Sequence, residues 1–260
     1  MPENAVLKDC EIVIRNDEIV HFSQVKRDVE ISREDRVVVL DSSGRPIEVP
    51  ALGFQERGFS NPKLLEFEGT ETEISLSKAV LMYSNRYGEW NFEHWMLDVL
   101  PKGWCVSKRS DFREISFIVT KGQFEKLTKE YLSHLGVNSN NIITVGEANI
   151  IVSELFEFVP YYTHPFSIDA SDFIRDFRDV LIENSENSPA PKKKLFLGRT
   201  EIIKSGRGRY IENLSEVLKM LEARGFEFVS AGDLSLLQKH ALFSNADIVI
   251  TEIGANCLNI

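Results

Sequence analysis

The sequence predicts an α/β fold, and three observations carry the prediction. Strand-like runs alternate with helix-period segments from about residue 80 onward, residues 192–260 read in the order βαβαβ, and apolar residues are plentiful. At 43% hydrophobic and 10% aromatic, a 260-residue chain can build ordinary cores in one large domain or two small ones.

The elements follow in order. Residues 1–80 alternate short apolar runs with charged and turn residues, as in Glu11-Ile12-Val13-Ile14-Arg15 and Arg36-Val37-Val38-Val39-Leu40 before Asp41-Ser42-Ser43-Gly44, which reads as a β-rich N-terminal section. In Asn91-Phe92-Glu93-His94-Trp95-Met96-Leu97-Asp98-Val99-Leu100-Pro101, Phe92, Trp95, Met96 and Val99 fall at i, i+3, i+4 and i+7, the apolar stripe of a packed helix. Ile115–Val119 is a strand, and about Gln123 to Leu135 is a helix closed by Gly136. Ile142–Val145 and Ile150–Val152 supply further strands, and about Asp169 to Glu183 a second amphipathic helix. The polar, proline-marked stretch Asn184–Pro191 separates a Rossmann-like domain over 81–185 from another over 192–260.

In the last domain Lys194–Leu197 is a strand. Asn213-Leu214-Ser215-Glu216 has the form of a capping box and opens a helix with Leu214, Val217, Leu218 and Leu221 on one stripe, ended by Gly225. Phe226–Val229 is a strand, Asp233 to about Ser244 a helix and Asp247–Thr251 a strand. Units of this order form parallel sheets whose ligands sit at the carboxyl ends of the strands.

Composition excludes several function classes. A net charge of −10 with a pI near 5.1 argues against a nucleic-acid partner, which needs a basic excess to displace counterions. Cys10, Cys105 and Cys257 lie far apart and are odd in number, so neither a disulfide framework nor a Cys-x-x-Cys metal site is supported and a reducing compartment fits best. The amino terminus lacks the basic and apolar regions of a signal peptide, and no run approaches the roughly 18 apolar residues of a membrane span. The expectation is a cytoplasmic protein whose membrane attachment, if any, is peripheral, at the inner face.

Two regions offer chemistry. Asn91, His94 and Asp98 fall at i, i+3 and i+7, on a side of the helix away from the apolar stripe, where three polar groups form a candidate active-site edge. The competing reading is a satisfied half-buried histidine, a surface carboxylate and an asparagine cap. The loop Gly198–Tyr210 leaves the carboxyl end of a strand and gathers Arg199, Lys204, Arg207 and Arg209 among Gly198, Gly206 and Gly208, with Glu201 as its one acid. Arginines can hold a diphosphate bidentately, and glycines let the backbone approach it. Neither a Walker A loop nor a Gly-x-Gly-x-x-Gly helix opening is present. After the last strand, Gly254, Ala255, Asn256 and Asn259 permit close backbone approach and hydrogen bonding to a ribose, base or phosphate.

These stretches resemble the family 61 glycosyltransferases, which include bacterial capsular polysaccharide enzymes. The likeness is carried by Asn91-Phe92-Glu93-His94-Trp95-Met96-Leu97-Asp98-Val99-Leu100-Pro101; by Leu197-Gly198-Arg199 through Arg209 and Asn213 to Glu216-Val217; and by Leu234-Ser235-Leu236-Leu237-Gln238, Leu242-Phe243, Asn245-Ala246-Asp247 and Gly254-Ala255-Asn256-Cys257-Leu258-Asn259. The resemblance implies a GT-B arrangement, two Rossmann-like domains facing a cleft, with residues 81–185 on the acceptor side. It further implies inverting, metal-independent transfer from a nucleotide-sugar donor to a saccharide or lipid-linked acceptor, without another cofactor. Asp98 or His94 would be the base, Arg199 and Arg209 would neutralise the diphosphate, and Asn91, Asn213, Gln238, Gly254, Ala255, Asn256 and Asn259 would line substrate. Departures fall on the donor side: Tyr210 and Leu214 stand where an arginine and a glutamate are frequent, and Ile253 where a histidine is. The chain ends just after a turn that leads, in the family, into further strands, so the second domain is expected to be incomplete. The alternatives are a non-catalytic nucleotide-sugar or glycan-binding module and a pyruvyl transferase of a capsule pathway.

Overall fold

The computed structural model describes residues 5–14, 20–26, 29–35, 37–40, 73–83, 91–146, 148–157, 168–184, 192–198, 211–232 and 234–251. The chain divides into two compact units, Met1–Arg175 and Asp176–Ile260.

In the first unit the strands are β1 (Ala5–Ile14), β2 (Val20–Lys26), β3 (Val29–Asp35), β4 (Val37–Leu40), β5 (Glu73–Met82), β6 (Ser116–Thr120), β7 (Ile142–Val145) and β8 (Ala148–Glu157). Six of them form a mixed sheet in the order β4-β1-β8-β5-β6-β7, while β2 and β3 pair separately. β8, β5, β6 and β7 run parallel, and β1 lies antiparallel to both β8 and β4. The residues explain which strand is central. β5 alternates exposed and half-buried over its first six positions and is then fully buried from Ala79 to Met82, as expected where a strand becomes covered on both faces. One face packs Ala79, Leu81, Ile118, Val145, Ile150, Val152 and Leu155 into a core.

The described part of the connection from β5 to β6 opens with a helix. It runs as α1 (Phe92–His94), a π-helical turn (Trp95–Val99) and α2 (Leu100–Ser107) without a break. α3 (Glu125–His134) follows β6 and buries Leu127, Tyr131 and Leu132; Gly136 ends it at φ +80°, the left-handed C-terminal position where glycine carries no Cβ penalty. α2 and α3 meet at Gly103, where an added Cβ would lie 3.1 Å from Leu132 Cδ2 and 3.3 Å from Met82 Cε.

α4 (Ile168–Glu183) crosses the division between the units. The second unit then runs β9 (Lys193–Leu197), α5 (Leu214–Glu222), β10 (Phe226–Val229), α6 (Leu236–Ser244) and β11 (Ala246–Thr251). All three strands are parallel in the order β10-β9-β11, so the βαβαβ pattern expected from sequence is present. The capping box is found elsewhere than expected. Asn213 sits in a turn (φ −103°, ψ 38°) with no side-chain cap bond, because its own carbonyl already accepts from Glu216 N at 3.0 Å and Val217 N at 3.1 Å. Ser235 and Gln238 form the box instead, at the start of α6. Residues 185–191 of the expected linker lie outside the described residues.

Candidate active site

The helix between β5 and β6 is positioned residue by residue. Asn91 starts it, with extended backbone and its side-chain oxygen accepting from Glu93 N at 2.9 Å. Its carbonyl accepts from Trp95 N at 3.0 Å. The ladder then widens, since Leu100 N reaches back to Trp95 O, one residue further than an α-helix allows. Pro101 gives the reason: it has no N–H to offer Leu97, and its ring crowds the carbonyl four residues back.

The wider turn alters which side chains face inward. Sequence periodicity assigns Asp98 to the polar edge with Asn91 and His94, but Asp98 is buried together with Trp95 and Val99. His94 remains partly accessible, with 13% of its side chain exposed against 0% for Asp98. Their side chains meet, His94 Nδ1 to Asp98 Oδ2 at 3.0 Å. Asp98 Oδ1 has no protein hydrogen-bond partner among the described residues. Asn91 is committed to the helix cap through its oxygen, leaving its amide nitrogen for other contacts.

Two further contacts fix this helix against the sheet. Lys102 is buried, and its ammonium donates to Leu81 O at 3.1 Å and Tyr83 O at 2.7 Å, clamping the carboxyl end of β5 beneath α2. Trp95 Nε1 donates to Thr128 Oγ1 at 2.9 Å, and Thr128 in turn donates to Phe124 O at 2.9 Å. The Trp95 and Phe124 rings stack at 5.3 Å between centroids. Beside them a small recess with about 20 Å³ of space for water-sized groups lies at the carboxyl ends of β5 and β6, lined by residues including Tyr83, Trp95, Val99, Thr120, Gln123, Phe124 and Glu125. Sequence reasoning missed Lys102 and this recess. The helix and strand signals for each part were present, but nothing local says that Phe124 stacks on Trp95.

Two expected site residues lie in the second unit. Asn213 precedes α5, with its Nδ2 3.4 Å from Glu216 Oε2. Gln238 Oε1 accepts from Ser235 N at 2.8 Å, so that oxygen is occupied in capping α6. Arg199, Arg209, Gly254, Ala255, Asn256 and Asn259 lie outside the described residues. The strands that lead to them are described: Leu197 pairs with Thr251 in parallel register, so the chain leaves β9 and β11 at one common edge. Among the described residues, no group of three His, Cys, Asp or Glu side chains gathers as a cation site, and no helix is long and apolar enough to cross a membrane.

No curated protein matches the chain. The family model for glycosyltransferase 61 matches residues 92–260, a span that opens inside the helix carrying His94 and Asp98 and takes in every strand from β6 to β11. The match covers more than half of the sequence, and the chain therefore belongs to the glycosyltransferase 61 family.

Proposed function

We propose that the chain is an inverting, metal-independent glycosyltransferase that moves a sugar from a nucleotide-diphosphate donor to a saccharide or lipid-linked acceptor, its two units serving as the halves of a GT-B enzyme. The observation that supports this reading best is the 3.0 Å bond between His94 Nδ1 and the buried Asp98 carboxylate. An ionised carboxylate only accepts, so it favours the tautomer with the proton on Nδ1 and leaves Nε2 basic.

In the transfer step the acceptor oxygen attacks the anomeric carbon opposite the leaving group. The bond from that carbon to the donor diphosphate breaks, its electron pair leaves with the diphosphate, and the acceptor proton passes to His94 Nε2. Asp98 holds the ring and offsets the imidazolium charge as it forms. His94 is thus the base and Asp98 the positioning residue. Arg199 and Arg209 neutralise the departing diphosphate in place of a metal ion. Gly254, Ala255, Asn256 and Asn259 approach the nucleotide, and Asn213 and Gln238 support that side through their helix starts. No cofactor beyond the donor takes part, and the acidic chain has no nucleic-acid partner. The setting proposed is cytoplasmic, at the inner face of the membrane, on the cysteine pattern and the amino-terminal sequence, and in surface (capsular) polysaccharide assembly, on the sequence resemblance.

The test is release of nucleotide from UDP-, GDP- and CMP-sugars by the purified chain, with phosphoenolpyruvate alongside. Release of one nucleoside diphosphate, with product of inverted anomeric configuration and no loss of rate in a chelator, is expected. Tight nucleotide binding without release would make the protein a binding module. Phosphate release from phosphoenolpyruvate alone would make it a pyruvyl transferase.

A further inference from the structure

We propose that Lys102 is a positioning residue for the transfer step: its buried ammonium, bonded to the carboxyl end of β5, sets the rotation of the helix that carries His94 and Asp98 and so keeps that pair together. The transfer step rests on the transferase reading above, whereas the coupling of Lys102 to the pair is argued from the fold.

Lysine is a costly choice for this place. Lys102 is 1% exposed, and burial strips an ammonium of its water, a cost that a methionine filling the same space would not carry. The head group is therefore explained by what it binds and not by the space it fills. Nζ donates to Leu81 O at 3.1 Å and to Tyr83 O at 2.7 Å. The two carbonyls are two residues apart at the end of a strand, the spacing at which extended backbone repeats its direction. Two acceptors so placed fix the ammonium both along the strand and across it, which one bond would not do. The register of β5 with β8 ends at Val80 and that with β6 at Met82, so Tyr83 lies past both pairings and Lys102 supplies a donor there.

The helix carries this anchorage to the pair. His94, Asp98 and Lys102 succeed one another at intervals of four residues, the spacing that makes side chains neighbours on a helix. Burial deepens along the series, from 13% exposure of the His94 side chain to 0% for Asp98, with Lys102 innermost against β5. The turn between His94 and α2 is π-helical, with Leu100 N bonded to Trp95 O, a rare form confined to single turns. An anchor stands on either side of it. Trp95 Nε1 on Thr128 holds its start against α3, and Lys102 holds the next turn against β5. With the second anchor gone, α2 can rotate about its axis and carry Asp98 away from His94.

The experiment compares the full 260-residue chain with Lys102→Met, both labelled with 15N at the five histidines, with circular dichroism checking the fold. Loss of one ring signal in His94→Gln assigns His94. In wild type the His94 ring is expected to hold its proton on Nδ1. In Lys102→Met its two ring nitrogens should average between tautomers while the other histidines keep their signals. In the nucleotide-release assay the same variant should lose about tenfold or more in kcat, the scale of a misplaced catalytic group, with KM unchanged within about threefold. Wild-type ring signals in folded Lys102→Met overturn the proposal whatever its rate. If Lys102→Met does not fold, Lys102→Gln, which keeps amide donors without the charge, is put to the same two readouts. Failure of both to fold also overturns the proposal, because the lysine would then hold the whole fold and not the pair. The ring readout needs no turnover, so the two readings fail separately. Altered ring signals in a protein whose wild type releases no nucleotide would keep the coupling of Lys102 to the pair and remove the transferase reading. Nucleotide release that Lys102→Met leaves unchanged would keep the transferase and remove Lys102 from it.

Discussion

Asp98 is 1% exposed, has one oxygen on His94, and has no protein hydrogen-bond partner among the described residues for the other. A buried acceptor left unsatisfied costs about 1–3 kcal/mol, so stability alone is a poor reason for a carboxylate at this position. Orienting His94 is a better one. Asp98→Asn is therefore expected to lower kcat by about 10³–10⁴-fold, because an amide that donates to Nδ1 favours the wrong tautomer, while nucleotide affinity stays within a few-fold. A kcat within tenfold of wild type in a steady-state assay would remove the pair from catalysis. Asp111 titrates for a different purpose. Arg109 and Lys78 hydrogen-bond its carboxylate at 2.8 Å and 2.9 Å and hold its pKa at about 2, against an ordinary 3.8. Because the folded value is the lower one, the stabilisation is fully present above pH 3.8 and is lost as the pH falls toward 2. Denaturant melts across that window should fall more steeply for wild type than for Asp111→Asn; equal slopes would mean that the ion pair contributes nothing to acid stability.

At the scale of the element, the helix from Phe92 to Ser107 carries the most information. Its apolar stripe is legible in the sequence, and so is a disturbance at Pro101. The form of the disturbance is not. A proline inside a helix can kink it, end it or open a π turn, and the choice depends on what the neighbouring residues gain. Here the π turn buries Trp95, Asp98 and Val99 together, and Lys102 pins the next turn to two β5 carbonyls. Pro101→Ala restores an N–H for Leu97 and is expected to relax the turn toward α-geometry. The outcome should be a fold at least as stable, by thermal melting, with kcat reduced at least tenfold as Asp98 rotates relative to His94. A variant with unchanged kcat would mean that packing, and not proline, holds the turn. The capping boxes teach the same lesson in reverse. Asn213-x-x-Glu216 has the right residues, but its turn conformation satisfies the helix amides through a backbone carbonyl, whereas Ser235 keeps the extended backbone (φ −64°, ψ 166°) that lets its side chain reach Gln238 N.

At the scale of the whole molecule, the proposed chemistry is divided between the units, with proton transfer in the first and donor binding in the second. Arg199→Ala should therefore weaken nucleoside diphosphate binding by about 1.5–3 kcal/mol, the scale of a charge-assisted hydrogen bond. Isothermal titration checks this, and an unchanged dissociation constant would move the donor site away from the β9 loop. The sequence by itself determined what depends on near neighbours. The β6–α3–β7 run, the βαβαβ order of the second unit and the glycine ends of α3 and α5 are all set by periodicity and backbone preference within a few residues. Tertiary structure alone decided what depends on partners distant in the chain. β1 and β4 of the β-rich N-terminal section join the main sheet because β1 finds β8, some 140 residues later, with Ala5 opposite Glu157 and Ile14 opposite Ala148. Asp98 lies buried against His94 instead of on the surface because the π turn, the packing of Trp95 on Phe124 and the clamp at Lys102 fix the helix's rotation. Periodicity names the residues that share a face, but it takes the partner surface to decide which face is buried, since burial is a property of the pair of surfaces and not of either one.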